Sequence, residues 1–491
     1  MASLIWVGLA SFVISLVLTR LLRDALRRLG ILDHPGGNRK IHRVPIPRGG
    51  GVAIALAYVA SYLVVGRFFG SGFDQQLVLV WKILTAAGII LVVGLMDDLF
   101  GLKPWQKLTG QFVGAAIACW KGIVVGGGAG SFEDAWWRIA LTIVWLLVCS
   151  NAFNLVDGMD GLAAGLGLVS TVAMFFGAGL QHNAQLALAT IPLAGALLGF
   201  LRYNFNSATI FLGDSGSLSL GFVLGCFSIA WIGHSTTFQG HAAPLIALSI
   251  PLLDVTLAIG RRLLRGQHIF SADRRHIHHR LLDQGMTPRK AVLVLYAAGI
   301  GVSAVALLHQ STLGNGSRSG LLLVVFCGIV LAAIRYLGYS EFTMAGKMLL
   351  RGDLGRILAA HIDLRALENA ISRATTPAAC ADLVVASVEG LGCLVTRLRF
   401  AGHVSGSHSV VVAPAWTFRV PLDNGDFVEL AREFGDSSSS AHVGLLVDVL
   451  RGSLVAKGRT FTRPLNTGPQ KVPGRLVVGE ELAIGQAADG R

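Results

Sequence analysis

The chain has 491 residues, 53% of them hydrophobic and only 14% charged, with a mean hydropathy of +0.63. A soluble globular domain carries about 25% charged residues, so this composition describes a polytopic membrane protein with room for about ten spans plus a soluble part. The net charge of +13 does not call for a nucleic acid partner. Its Lys and Arg residues sit mainly in loops between apolar runs, as expected for charge retained on the cytoplasmic side near anionic lipid.

The first apolar run, Leu4 to Leu18, has no basic residue before it, and Arg20, Arg23, Arg27 and Arg28 follow it. That order suits an uncleaved first helix with its N-terminus outside rather than a secretory signal. The pattern predicts eleven spans, roughly 2–20, 51–69, 78–96, 108–126, 137–156, 160–180, 186–202, 214–233, 242–260, 291–309 and 320–338. Loops then alternate in charge. One side receives the eight Lys/Arg residues from Arg20 to Arg48, then Lys103, Lys107, Arg202, the Arg261–Arg289 segment and everything after Arg335. The other receives Arg67, Lys121, Arg138, Arg318 and little else. The first side is therefore expected to be cytoplasmic.

The expected fold is an all-α polytopic membrane domain over 1–340, followed by a small cytoplasmic α+β domain over 341–462 and a loose tail over 463–491. Within the second domain, 361–391 reads as helical, Cys393–Phe400, Ser409–Val412 and Phe427–Leu430 as strands, and 441–456 as an amphipathic helix. The six cysteines contain no CxxC pair, and Cys119, Cys149, Cys226 and Cys327 lie inside apolar runs. Neither a disulfide framework nor a zinc finger is implied.

Ionisable groups beside hydrocarbon are costly and point to function, and four clusters of polar residues fall on the expected cytoplasmic side. Asn151, Asn154, Asp157 and Asp160 recur every third residue, a spacing that keeps helical side chains on one drifting stripe. Such oxygen donors suit Mg²⁺, which shares its ligands with water and substrate phosphates; packing between membrane helices is the plainer alternative. Asp97 and Asp98 are adjacent and point about 100° apart on a helix, so one is expected to face substrate while the other anchors a loop. Lys107 is placed to contact a phosphate.

Asp214 lies between glycines at a helix start, where it serves either as an N-cap or as a metal ligand. His276, His278 and His279 share a loop with Arg274, Arg275 and Arg280, a set suited to a diphosphate. A solvated basic loop is the bland alternative, and zinc spacing is absent. The loop from Asp33 to Gly51, with Lys40, His42 and Arg48, reads by itself as positive-inside charge.

Together these stretches, over about 30–290, resemble the polyprenyl-phosphate N-acetylhexosamine-1-phosphate transferases. The resemblance implies attack of a polyprenyl phosphate on the β-phosphorus of a UDP-sugar, releasing UMP. It implies Mg²⁺ (or Mn²⁺) on Asn154 and Asp214, and essential carboxylates at Asp157 and Asp160. It further implies a uracil-stacking Phe211, an acidic pair Asp97/Asp98 at the lipid phosphate, and phosphate contacts from Lys107 and Arg280, with Lys40 and His42 in the substrate-binding set. His276, His278 and His279, in a His-Ile-His-His order, resemble the bacterial undecaprenyl-phosphate N-acetylglucosamine branch, making UDP-N-acetylglucosamine the expected donor. Other UDP-N-acetylhexosamines stay open, as does a homodimer. A cation- or proton-coupled transporter is the rival class, but it would place its charges near the bilayer midplane in related halves. A membrane-anchored sensor would need far fewer spans.

Overall fold

A computed structural model describes residues 2–33, 44–69, 77–127, 132–233, 238–264, 276–313, 316–339, 353–390, 393–406, 415–433 and 441–462. The chain divides into two compact units, Met1–Thr343 and Met344–Arg491.

The first unit is a helical bundle. Its long helices are α1 (Ala2–Arg28), α2 (Gly50–Phe69), α3 (Val78–Phe100), α4 (Pro104–Trp120), α5 (Phe132–Val156), α6 (Leu162–Leu180), α7 (Ala184–Asn204) and α8 (Gly213–Ile232). Then come α9 (Phe238–Ala247), α10 (Ser249–Leu264), the short α11 (Ile277–Asp283), α12 (Pro288–Ser311) and α13 (Gly316–Tyr336). Among the described residues, nine helices are long and apolar enough to cross a membrane. Of the other two expected segments, one is a pair bent by 81° between Gly240–Ala247 and Ser249–Leu264. The other, α4, has 17 residues, at the short end of what a bilayer requires. The chain is a multi-pass membrane protein.

In lipid every backbone polar group needs an internal partner, and α7 shows how this is met. Pro192 sits inside α7 and has no N–H to offer the carbonyl of Leu188, four residues back. The Tyr62 hydroxyl donates to that carbonyl at 2.9 Å, and the Tyr58 hydroxyl to Ala189 O at 3.0 Å. From α1, Ser11 and Ser15 donate to Pro192 O and Ala196 O, each at 2.7 Å. Small residues permit this close approach: a Cβ on Gly195 would lie 2.3 Å from Gly8 O. Hydroxyls and small residues thus join helices that the hydrophobic effect cannot pull together within hydrocarbon.

The same device brings α2, α3 and α8 together at one end of the bundle. A Cβ on Gly51 would lie 2.2 Å from the Gly216 backbone, and one on Gly94 would lie 2.5 Å from Asp214 O. The chain entering α2 is tied to the chain entering α8. Phe211 N donates to Pro47 O at 2.9 Å, Gly50 N to Phe211 O at 2.9 Å and Gly51 N to Leu212 O at 3.0 Å.

The second unit contains α14 (Asp353–Arg373), α15 (Pro377–Gly390), β3 (Leu394–Phe400), β4 (His403–Ser405), β5 (Ala415–Pro421), β6 (Phe427–Glu433) and α16 (Ala441–Thr462). Two short strands, β1 (Leu32–Asp33) and β2 (Ile46–Pro47), pair in the first unit. The four strands β3 to β6 form an antiparallel sheet in the order β4-β3-β6-β5. Val395, Leu398, Phe400, Val428 and Leu430 pack with helix residues such as Ile371 and Leu450 in its core. The stretch 361–391, expected to be helical, holds most of α14 and all of α15, separated before Pro377, which disfavours helix at the residue preceding it. The expected strand Ser409–Val412 lies outside the described residues. A strand not anticipated, β5, pairs along β6; with Pro421 at its end it fits an edge position.

Because the Gly51–Gly216 crossing leaves no space for a methyl group, Gly51→Ala is expected to cost about 1–3 kcal/mol and lower the thermal unfolding midpoint. Gly88→Ala on α3, where a Cβ meets nothing within 4 Å, should leave that midpoint unchanged or slightly raised.

Candidate active site

The crossing of α2, α3 and α8 places the end of α3 against the start of α8. Asp98, its side chain 1% exposed, accepts from the backbone N–H groups of Asp214 at 2.8 Å and Ser215 at 3.0 Å. These belong to the unpaired donors at a helix start, so Asp98 caps α8 from another helix. Gly213 has φ of 76°, and a Cβ there would lie 2.6 Å from the Asp98 carboxylate. Asp98 thus anchors the start of α8.

Asp97 organises the turn into α4. It accepts from Leu102 N at 2.6 Å, while Gly101 takes a left-handed φ of 67°. Pro104 opens α4, and the Gln106 side chain accepts from Lys103 N at 2.9 Å. One turn in, Lys107 reaches back to ion-pair with both Asp97 and Asp214. Arg48, carried in by the strand-like pairing with Phe211, lies 2.8 Å from Asp214 Oδ1 and 3.0 Å from Asp98 Oδ1. Three carboxylates and two cations thus interlock.

The Asn/Asp stripe does not lie on one helix, because α5 ends at Val156 and Gly161, with φ of 77°, precedes α6. Asn151 Nδ2 donates to Gln111 Oε1 at 2.5 Å and Asn154 Nδ2 to Ser217 Oγ at 3.0 Å, tying α5 to α4 and α8. Asp160 accepts from Ala208 N at 2.9 Å and so holds the segment leading to Phe211. Asp157 differs from the rest: among the described residues its carboxylate accepts no hydrogen bond. Burial pushes its pKa up to about 8, helped by the negative charge of Asp214 and opposed by Arg48.

A cavity of about 600 Å³ opens here, lined by Arg27, Arg48, Asp157, Asp160 and Phe211 among others. Against the Asp157–Gly158 turn lies the histidine segment: a Cβ on Gly158 would come 2.7 Å from His278 Nε2. His278 is 2% exposed, and burial lowers its pKa to about 4 despite the charge of Asp254. Its ring is stacked with that of His276 at 5.8 Å and tilted against that of His279 at 4.3 Å. Arg280 lies over the Tyr339 ring at 5.1 Å, with Arg261 also over that ring at 4.7 Å. Lys40 and His42 lie outside the described residues.

Sequence reasoning gave Arg48 no specific role and passed over Asp254, which is 1% exposed and paired with His276. The available signal was a lone carboxylate inside an apolar segment, which reads as functional by default.

Among the described residues no three His, Cys, Asp or Glu side chains form a preassembled metal cage. The donor chemistry nevertheless fits a hard cation that takes one or two protein carboxylates and completes its shell with water and phosphate. Four carboxylates, Asp97, Asp98, Asp157 and Asp214, gather about Arg48 and Lys107, and Asp157 is hard to ionise without more positive charge.

Fold and site together define a multi-pass membrane protein with a cavity of about 600 Å³ lined by charged residues at one end of its helices. The model of glycosyl transferase family 4 matches residues 80–232. A probable undecaprenyl-phosphate N-acetylglucosaminyl 1-phosphate transferase of Bacillus subtilis is 34% identical over 338 residues, covering 66% of this chain and 89% of the relative. A decaprenyl-phosphate N-acetylglucosaminephosphotransferase of Mycobacterium tuberculosis is 35% identical, covering 59% of this chain and 78% of its own. An undecaprenyl-phosphate alpha-N-acetylglucosaminyl 1-phosphate transferase of Escherichia coli is 28% identical, covering 59% and 79%. The chain belongs to the polyprenyl-phosphate N-acetylhexosamine-1-phosphate transferase family.

The raised Asp157 pKa gives a pH signature in buffer free of divalent cations. The folded protein holds this proton up to about 8, while the unfolded chain releases it near 3.8. The group's contribution to stability is therefore greatest below 3.8, falls as pH rises toward 8, and levels off above. Asp157→Asn, which cannot ionise, should gain in unfolding midpoint over the parent from pH 5 to 8, with no further gain above.

Proposed function

We propose that the protein transfers N-acetylglucosamine 1-phosphate from UDP-N-acetylglucosamine to a polyprenyl phosphate, undecaprenyl phosphate in a bacterial inner membrane. The products are polyprenyl diphosphate N-acetylglucosamine and UMP, and the reaction starts a cell-envelope polysaccharide. The observation that carries this reading is the charge pattern: Arg48 and Lys107 both pair with Asp214 beside a cavity bounded by Asp157 and Phe211, in a relative of three polyprenyl-phosphate transferases.

An oxygen of the lipid phosphate forms the new bond to the donor's β-phosphorus. The bond from that phosphorus to the bridging oxygen breaks, and its electron pair leaves on the α-phosphate of UMP. Both partners are anionic, so catalysis of phosphoryl transfer is chiefly positioning and neutralisation of charge. Arg48 and Lys107 supply fixed positive charge where the phosphates meet. Phe211 offers a face on which the uracil ring stacks. The lipid phosphate is already ionised at pH 7, so no strong base is needed. Asp98 is occupied in holding α8, and Asp97 in holding Lys107.

Asn154 and Asp214, with Asp157 beside them, would hold Mg²⁺, or Mn²⁺ in its place. Bound there, the ion would screen the diphosphate and stabilise the charge that develops on the leaving oxygen. Asn154 presents its amide nitrogen to Ser217, which leaves the amide oxygen as the donor atom. The imidazoles of His276, His278 and His279 would line the opposite side of the Asp157–Gly158 turn.

The positive-inside rule supports a cytoplasmic location for this end of the bundle, because Arg27 and Arg48 line its cavity and α11 beside it carries Arg280. Nucleotide sugars are found in that compartment. Eleven spans with the N-terminus outside satisfy the same rule. Residues 341–462 would then form a cytoplasmic domain; the expected tail over 463–491 lies outside the described residues.

Purified protein with UDP-N-acetylglucosamine, polyprenyl phosphate and Mg²⁺ should release UMP, and EDTA should stop the release. Asp157→Ala and Asp214→Ala should each reduce turnover by about 10³-fold or more, with the folded protein still in the membrane. UDP in place of UMP, or near-parental turnover in both variants, would contradict the reading.

A further inference from the structure

We propose that Asp254 is a positioning residue of the transfer site, holding the histidine segment against the Asp157–Gly158 turn. This inference rests on the transfer reaction proposed above and assigns a part in it to a residue on a different helix.

The segment has little to hold it in place by itself. Helix α11 has seven residues, well below the length at which a helix is stable alone. Its N-cap, His276, makes no side-chain capping hydrogen bond. The missing cap comes from α10, the second limb of the bent pair, which carries Asp254 into the bundle. Asp254 Oδ1 accepts from the backbone N–H of Ile277, the first residue of α11, at 2.7 Å. Its Oδ2 lies 2.9 Å from His276 Nδ1. A carboxylate acceptor places the proton of the neutral ring on Nδ1 and leaves Nε2 with its lone pair, so one side chain fixes both backbone and tautomer.

From there the order propagates by packing. The His276 and His278 rings are nearly parallel, with an interplanar angle of 6°. His278 is buried, and among the described residues its Nε2 has no hydrogen-bond partner; that atom lies against Gly158, the residue after Asp157. The placement of His278 against the Asp157–Gly158 turn therefore follows from where Asp254 holds His276 and the first residue of α11. Other charged groups around the segment serve a different contact: Arg261 and Arg280 lie over Tyr339. Asp254 is buried and lines no part of the cavity described above, so it acts through His276 and His278 rather than on substrate.

Asp254→Asn is close to isosteric and keeps an acceptor for Ile277 N–H, but it presents an amide N–H₂ to His276 Nδ1 and reverses the tautomer. The expected result is a fall in kcat of about 10–100-fold, with KM for UDP-N-acetylglucosamine within about threefold of the parent. Hydrogen–deuterium exchange should rise in the peptide over 276–286 and stay unchanged in α8. The double variant Asp254→Asn/His276→Gln should be no slower than the slower single variant, because the two residues form one unit. Parental kcat in Asp254→Asn, multiplicative losses in the double variant, or unchanged exchange over 276–286 would overturn the inference. His276→Leu provides a second route if Asp254→Asn does not fold: it removes the same hydrogen bond, and exchange over 276–286 must rise. Absence of UMP release by the parent protein would instead strike the transfer reading, while the exchange measurement would still judge the anchor.

Discussion

Negative charge in excess of its partners, confined at one end of a membrane bundle, is the constraint around which this structure is arranged. Buried carboxylates are tolerated only when paired or hydrogen-bonded, and each one here is dealt with differently. Asp98 is satisfied by the start of α8, Asp97 by the turn into α4 and by Lys107, and Asp160 by the segment before Phe211. Asp214 is held between Arg48 and Lys107. Asp157 alone accepts no hydrogen bond among the described residues, and its pKa records the deficit. The fold therefore supports the site by using most of its acids as structural anchors and leaving one underneutralised.

The approach of these groups depends on residues with no side chain at all. Gly51, Gly94 and Gly216 let three helices meet closely enough for an acid at the end of one to cap another. This architecture explains why Asp97 and Asp98 differ despite being neighbours: on α3 they point to different helices, one to α4 and one to α8.

Much of this was legible in the sequence, because apolar run lengths and loop charges constrain a membrane chain strongly. The clusters at Asp97, Asp157, Asp214 and His278 stood out since ionisable groups at hydrocarbon boundaries are rare. Their division of labour was not legible. Whether an acid caps a helix or faces a cavity depends on which helix crosses which, and spacing alone does not reveal that. Arg48 was hidden among other loop cations, and its role emerged only through the pairing of its loop with Phe211. Asp254 was a single carboxylate in an apolar stretch whose partner, His276, lies 22 residues away. The bend between α9 and α10 also escaped, although Pro244 and Pro251 flank it and proline marks a kink in an apolar run. In the second unit, β5 was missed since its identity rests on pairing with β6 rather than on a long apolar run.

The most direct test of the charge argument counts ions rather than turnovers. Mn²⁺ would be titrated into purified protein with UMP, and free ion read by electron paramagnetic resonance. The account requires one ion per chain, lost in the Asp157→Ala/Asp214→Ala double variant while that variant stays folded in the membrane. No bound ion in the parent protein, or equal binding in that variant, would contradict it.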